Sequence, residues 1–195
     1  MYKIVHKEML NPNVVLMDVL APEVARNCKP GQFIVLRTDE TGERIPLTIA
    51  DYFPEQGLVR SVTQAVGYTS RKMTTMEEGD AFLDFIGPLG RESEVENYGT
   101  VLCVCGGLGI APMYPIARAL KEAGNRVITV VGARNKDILI WEDVLRTVSD
   151  ELYVTTDDGS YGEKGVVTDV ARKILERENV QRAWAIGPVI MMKFT

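Results

Sequence analysis

Residues Val101 to Pro112 read VLCVCGGLGIAP, an apolar run that empties directly into a glycine-rich turn and then a helix start. Backbone amides at the start of a helix lack intrahelical acceptors and favour an anion. Gly106, Gly107 and Gly109 carry no Cβ to block a close approach, and Pro112 has the fixed φ suited to a first helical turn. Dinucleotide phosphate is the chemistry this pattern suggests. A plain tight turn has the same composition, and Pro112 stands where the third glycine of a G-x-G-x-x-G fingerprint would fall.

Four further clusters carry reactive or ligand-binding side chains. Arg44-Ile45-Pro46-Leu47-Thr48 sets a guanidinium and a hydroxyl four residues apart around a proline. The guanidinium fork matches phosphate, and a threonine hydroxyl can donate to an aromatic ring nitrogen; an ordinary edge strand with a proline reads identically. Gly67-Tyr68-Thr69-Ser70 precedes a helical pattern at Arg71 to Met76, which gives either a second anion-suited helix start or a simple N-cap. Gly132-Ala133-Arg134-Asn135 and the polar loop Thr155 to Gly162, with Asp157 and Asp158, each follow an apolar run, where ligands of open α/β sheets collect. Arg134 serves there as a nucleotide contact or as a solvated loop residue. Gly187-Pro188-Val189-Ile190-Met191-Met192 ends the last apolar run, with methionines suited to packing, and Gly87-Pro88-Leu89-Gly90 reads as a connecting turn.

Composition narrows the class. A net charge of -5 spread over mixed-sign stretches, without a basic stripe, argues against nucleic acid as the main partner. No apolar run approaches the roughly 20 residues that cross a bilayer, and Met1 opens directly on a strand-like alternation. A soluble, cytoplasmic protein is expected. The three cysteines, Cys28, Cys103 and Cys105, with the lone His6, form no four-ligand set, so buried thiols and no metal site are expected.

Two textures organise the chain. Short β-type runs at Lys3–Met9, Val14–Leu20, Gln32–Arg37, Ile45–Ala50, Leu58–Thr63 and Ala81–Ile86 imply a small antiparallel barrel over residues 1–92. From residue 99 to 195, apolar strands at Val101–Cys105, Val127–Val131, Leu152–Thr155 and Ala183–Ile186 alternate with helical patterns at Met113–Ala123, Glu142–Val148 and Val166–Arg177. That alternation implies an α/β domain with a parallel sheet. The boundary falls in the aperiodic segment Arg91–Gly99, and the stop at Thr195, soon after the last strand, suggests a domain cut short.

The order Arg-x-Pro-Leu-Thr, Gly-x-x-Ser, Gly-Gly-x-Gly-x-Ala-Pro, Gly-Pro-x-x-Met, spanning almost the whole chain, resembles the ferredoxin-NADP reductase superfamily. Within it, Glu43–Asp51, Val154–Asp169 and Ala183–Lys193 are most similar to the electron-transfer subunits of dihydroorotate dehydrogenase. They are closer still to the small subunits of NADH-dependent reduced ferredoxin:NADP oxidoreductases, also called sulfide dehydrogenases. The resemblance implies an FAD-binding barrel and an NAD(P)-binding second domain. Arg44, Pro46, Leu47 and Thr48 would hold the flavin, with the Thr48 hydroxyl at its reactive N5 edge and Arg44 on the pyrophosphate; Gly67, Thr69 and Ser70 would form a second phosphate turn. Gly107, Gly109, Ala111 and Pro112 would take the nicotinamide, with Asp157, Asp158 and Gly187 around the nucleotide. Ile186 stands where many members have cysteine, so a thiol that helps position the nicotinamide is missing. Small-subunit relatives also carry a C-terminal four-cysteine segment for a 2Fe-2S cluster, which these 195 residues lack. The implied activity is hydride movement between NAD(P)H, more readily NADH, and FAD. In the intact protein electrons would pass through 2Fe-2S to a larger redox subunit of a heteromer, with ferredoxin as a further partner. The alternatives are the dihydroorotate dehydrogenase subunit and a non-catalytic flavin- or nucleotide-binding regulatory module.

Overall fold

A computed structural model describes residues Met1–Thr195, whose internal contacts separate into two compact units, Met1–Ser93 and Glu94–Thr195. The first holds β1 (Tyr2–Asn11), β2 (Val14–Leu20), α1 (Pro22–Asn27), β3 (Phe33–Arg37), β4 (Ile45–Phe53), β5 (Leu58–Gln64), α2 (Tyr68–Thr75), β6 (Ala81–Phe82) and β7 (Asp84–Leu89). Its strands form one antiparallel sheet in the order β6-β1-β2-β5-β4-β3-β7. β6 and β7 stand at opposite ends of that order, yet only Leu83 separates them in the chain. The sheet is therefore curled until its edges almost meet, a nearly closed barrel. Leu83 itself donates from its amide to the Arg37 carbonyl at 2.9 Å.

Period-two alternation builds the barrel interior: Val15, Met17 and Val19 of β2, Ile34 and Leu36 of β3, Ile49 of β4 and Phe85 of β7 share one core with Met73 of α2. Each such side chain stabilises the fold by about 1.5–3 kcal/mol on burial. Two expectations need correction. The run Ala81–Ile86 is not one strand, because closure requires its first part to pair with β1 and its second with β3. Gly87-Pro88 is not a connecting turn but lies within β7, joined by a cis peptide bond.

The second unit holds β8 (Thr100–Gly106), α3 (Ile110–Glu122), β9 (Arg126–Ala133), α4 (Glu142–Arg146), β10 (Glu151–Thr156), β11 (Glu163–Lys164), α5 (Val167–Arg177), β12 (Arg182–Ile186) and α6 (Val189–Phe194). The sheet is parallel, in the order β11-β10-β9-β8-β12. Val167, Val170, Ala171 and Ile174 recur at the i, i+3, i+4, i+7 positions of α5 and pack on Leu102, Val104, Ile128 and Val130. Successive connections carry the chain from β8 to β11 in one direction, and β12 then returns to the other side of β8. That reversal puts the sheet's topological switch point between β8 and β12, where open α/β sheets bind ligands beyond their carboxyl ends. No helix is long and apolar enough to cross a membrane.

Candidate functional site

On the barrel, alternation along β4 sends Ile45, Leu47 and Ile49 toward the core and leaves Pro46 and Thr48 exposed on the opposite face, with Arg44 exposed just before the strand. Leu47 thus contributes packing and backbone, while Arg44, Pro46 and Thr48 present side chains outward. The register with β3 pairs Thr48 with Phe33 and Pro46 with Val35; that of β3 with β7 pairs Val35 with Ile86 and Arg37 with Asp84. Three rows therefore cross the outer face: a hydroxyl row at Thr48 and Phe33, an apolar row at Pro46, Val35 and Ile86, and a charged row at Arg44, Arg37 and Asp84. Thr48 lies four residues along from Arg44, a span of about 13 Å at ~3.3 Å per residue. Such a face suits a long amphipathic ligand with a ring at one end and an anion at the other.

The charged row has an unusual detail. Asp84 Oδ2 lies 2.8 Å from Arg37 Nε and 2.7 Å from Arg44 Nη2. Both Arg37 Nε and Asp84 Oδ2 are nevertheless buried without a directed hydrogen bond. The contact is Coulombic, with hydrogen-bonding capacity left over.

At the second expected phosphate turn, Gly67 is the N-cap of α2, and the Ser70 hydroxyl accepts from the amides of Val66 and Gly67 at 3.0 and 2.9 Å and donates to the Gly67 carbonyl at 3.2 Å. Thr69 is buried, and its Oγ1 has no hydrogen-bond partner. The Thr69 and Ser70 side chains therefore shape the turn. β5 runs antiparallel to β4, so its carboxyl end, which leads into Gly67, lies toward the Arg44 end of β4. Asp39, in the loop before Arg44, accepts hydrogen bonds from Thr41 and Gly42 and is ion-paired with Lys72 of α2. That pairing holds the Asp39 carboxyl well below the usual carboxylate range, chiefly through the Lys72 hydrogen bond. The two anion-suited elements are thus tied together.

In the second unit, the loop residues singled out from sequence sit beyond the carboxyl ends of adjacent parallel strands: Gly107 to Pro112 after β8, Arg134 after β9, Asp157 and Asp158 after β10, Gly187 after β12. Gly109 is required by packing, because a Cβ there would meet the Ile186 carbonyl oxygen at 2.3 Å. Its absence lets the β8 and β12 turns touch at the switch point. Gly107 differs: φ is +57° and a Cβ would meet nothing within 4 Å, so its backbone faces open space. Ala111 is fully buried beneath that turn and Pro112 lies in the first turn of α3. Met191 fills the space beside Gly106 and Gly187, as packing methionine should.

The loop after β10 is pinned to the loop after β9 by amide donation from Asp157 to the Ala133 carbonyl at 3.1 Å and from Asp158 to the Arg134 carbonyl at 3.2 Å. Asp158 accepts from the Ser160 hydroxyl and amide, which lowers its pKa; Arg134 and Asp157 are exposed. All three cysteines are free and buried. Burial pushes the Cys28 and Cys103 thiols up to about 12, and Cys105 is raised well above its ordinary value by burial and by Cys103. No group of three or more His, Cys, Asp or Glu side chains is placed to hold a metal ion.

Sequence reasoning missed Arg37, Asp84 and the Asp39–Lys72 pair. Their relevance depends on which strand neighbours which, and only the closing step from β6 to β7 brings Asp84 beside Arg37.

Together, a nearly closed antiparallel barrel and a parallel sheet with its glycine turn at the switch point define a two-unit reductase architecture with a nucleotide-binding second unit. Comparison with known proteins agrees. Residues 103–195 match the oxidoreductase NAD-binding domain family. The chain is 53% identical over 192 residues to the dihydroorotate dehydrogenase B (NAD(+)) electron transfer subunit homolog of Thermotoga maritima, covering 98% of this chain and 68% of that protein. It is 33% identical over 177 residues to the electron transfer subunit of dihydroorotate dehydrogenase B from Fusobacterium nucleatum, covering 86% and 68%. A solved NADH-dependent reduced ferredoxin-NADP oxidoreductase, described for flavin-based electron bifurcation, superimposes with a TM-score of 0.94 at 52% identity, covering 100% of this chain and 70% of that one. The chain belongs to the family of dihydroorotate dehydrogenase B electron transfer subunits and their homologues, within the ferredoxin-NADP reductase-like oxidoreductases. It is an electron-transfer oxidoreductase subunit.

Proposed function

We propose that the barrel, residues 1–92, binds FAD and that the parallel-sheet unit, residues 99–195, binds a pyridine nucleotide. The observation that carries this reading is the three-row outer face of β4, β3 and β7, which joins Thr48, an apolar floor and a guanidinium end tied to the α2 turn through Asp39 and Lys72. The guanidiniums of Arg37 and Arg44, set against the single Asp84 carboxylate, leave a positive charge that fits an anion there. Arg44 and the first amides of α2 bind the flavin pyrophosphate, with Gly67, Thr69 and Ser70 shaping that turn. Pro46 and the Leu47 backbone would support the ring, and the exposed Thr48 hydroxyl would be available to donate to it.

In the second unit, the open backbone at Gly107 and the close packing at Gly109, Ala111, Pro112 and Gly187 leave room for the nicotinamide and its phosphates. Arg134, Asp157 and Asp158 face the adenosine end. Two carboxylates beside one arginine make a poor site for a 2′-phosphate, which favours NADH over NADPH. When bound, the two cofactors would supply a two-electron, hydride-level exchange between nicotinamide C4 and flavin N5; each unit would bind and orient its own cofactor, and Thr48 would tune the flavin.

Cys28, Cys103 and Cys105 do not fit a 2Fe-2S cluster, being three in number and not gathered with other metal-ligating side chains. Electrons would pass on from the flavin to a larger redox subunit of a heteromeric complex, as the electron-transfer subunits among the chain's relatives suggest. Relatives named for dihydroorotate dehydrogenase B and for ferredoxin-NADP oxidoreductase leave two partner classes, which co-purification from native extract separates. Reconstitution with FAD followed by desalting tests the reading: a retained visible flavin band is expected, and a colourless chain overturns it.

A further inference from the structure

Arg37 deepens the proposed flavin site. The register Phe33–Thr48, Ile34–Leu47, Val35–Pro46, Leu36–Ile45 leaves Arg37 and Arg44 as the next residues beyond the last pair, and both guanidiniums reach the same Asp84 oxygen. Like charges facing each other across paired strands are destabilising. Only Asp84, next in the row on β7, approaches both guanidiniums, and it does so with a single oxygen, at 2.8 and 2.7 Å. One carboxylate against two guanidiniums leaves a net positive charge. Neither the Arg37 Nε nor the Asp84 Oδ2 of this cluster makes a directed hydrogen bond, although both are buried. A purely structural ion pair of this kind would be expected to saturate those atoms.

We propose that Arg37 is a second pyrophosphate-binding residue, acting beside Arg44, and that Asp84 is the positioning residue that holds the two guanidiniums together before the anion arrives. The proposal rests on the flavin reading above. An arriving diphosphate supplies the negative charge that the row lacks and meets the guanidinium nitrogens that Asp84 does not occupy. The apolar row at Pro46, Val35 and Ile86 is unaffected by this, so the isoalloxazine and ribityl portion of the ligand gains nothing from Arg37.

That difference provides the test. Dissociation constants of FAD and of riboflavin, which has no phosphate, are measured on the 195-residue chain with Arg37→Gln and Arg37→Lys, over a range of salt. Arg37→Gln is expected to weaken FAD by about tenfold or more, as loss of a charge-assisted hydrogen bond does, while riboflavin changes by less than about twofold. The FAD salt dependence should also flatten. Arg37→Lys keeps the charge without the fork and is expected to lose FAD by an intermediate factor, again selectively. If Arg37→Gln does not fold, the Lys variant alone decides by its FAD-to-riboflavin ratio. Equal effects on both ligands, or unchanged FAD affinity, overturn the role of Arg37. A wild-type chain that binds no FAD overturns the flavin reading itself, and the role of Arg37 with it.

Discussion

Gly109→Ala is the substitution whose cost follows most directly from the structure. Its Cβ would lie 2.3 Å from the Ile186 carbonyl oxygen, 2.7 Å from the Ile186 carbonyl carbon and 3.0 Å from the Gly187 Cα. Ordinary contacts begin near 3.4 Å, so the overlap with the oxygen is about 1 Å, and all three atoms are backbone. No rotamer change relieves it. The β8 and β12 turns must move apart, and overpacking of this kind costs roughly 1–3 kcal/mol. Gly107→Ala is the matched control: open space surrounds the new methyl, and only the left-handed φ of +57° is penalised, by about 1–2 kcal/mol. Urea unfolding followed by circular dichroism measures both. The Gly109 variant should lose at least as much stability as the Gly107 variant, and both should bind NADH more weakly. A Gly109→Ala chain with wild-type stability and NADH affinity would refute the claim that this glycine joins the two turns at the nucleotide site.

Thr48→Val keeps shape on an exposed face, so thermal stability should change little, whereas flavin reduction by NADH in stopped flow should slow by on the order of ten- to a thousand-fold; a wild-type rate removes Thr48 from the chemistry. Arg44→Ala should weaken FAD by roughly 1.5–3 kcal/mol in a fluorescence titration, and unchanged affinity would mean that Asp84 is its only partner. The Cys28 and Cys103 thiols, pushed up to about 12 from 9.0, hold their protons more tightly folded than unfolded. Their contribution is therefore fully present below about pH 9 and is lost as pH rises toward 12. A thiol reagent at pH 8 should label none of the three quickly in the native chain and all three in denaturant; fast native labelling contradicts their burial.

The amphipathic patterns made much of this architecture legible. Short β-type runs bounded by turn residues in β2 to β5 and the i, i+3, i+4, i+7 stripe of α5 are local, and each marks its element without knowledge of its neighbours. The two-residue strands β6 and β11 are too short to carry a period, and the helices at Pro22–Asn27 and Val189–Phe194 are only six residues long. Candidate residues on turns were equally readable, since glycine next to an apolar run announces them. Side-chain roles were not: Ser70 is committed to its own turn and Leu47 to the core, while Arg37 and Asp84 meet only because the barrel closes. Register between strands distant in sequence is a tertiary property, and a single sequence does not encode it locally.

The central claim is that these residues pass reducing equivalents between a pyridine nucleotide and a flavin. Anaerobic titration of the FAD-reconstituted chain with NADH, read at the flavin absorbance band, tests it most directly. Full bleaching at about one NADH per bound flavin is expected, as a hydride-level transfer requires. Flavin that stays bound and oxidised under excess NADH would contradict it.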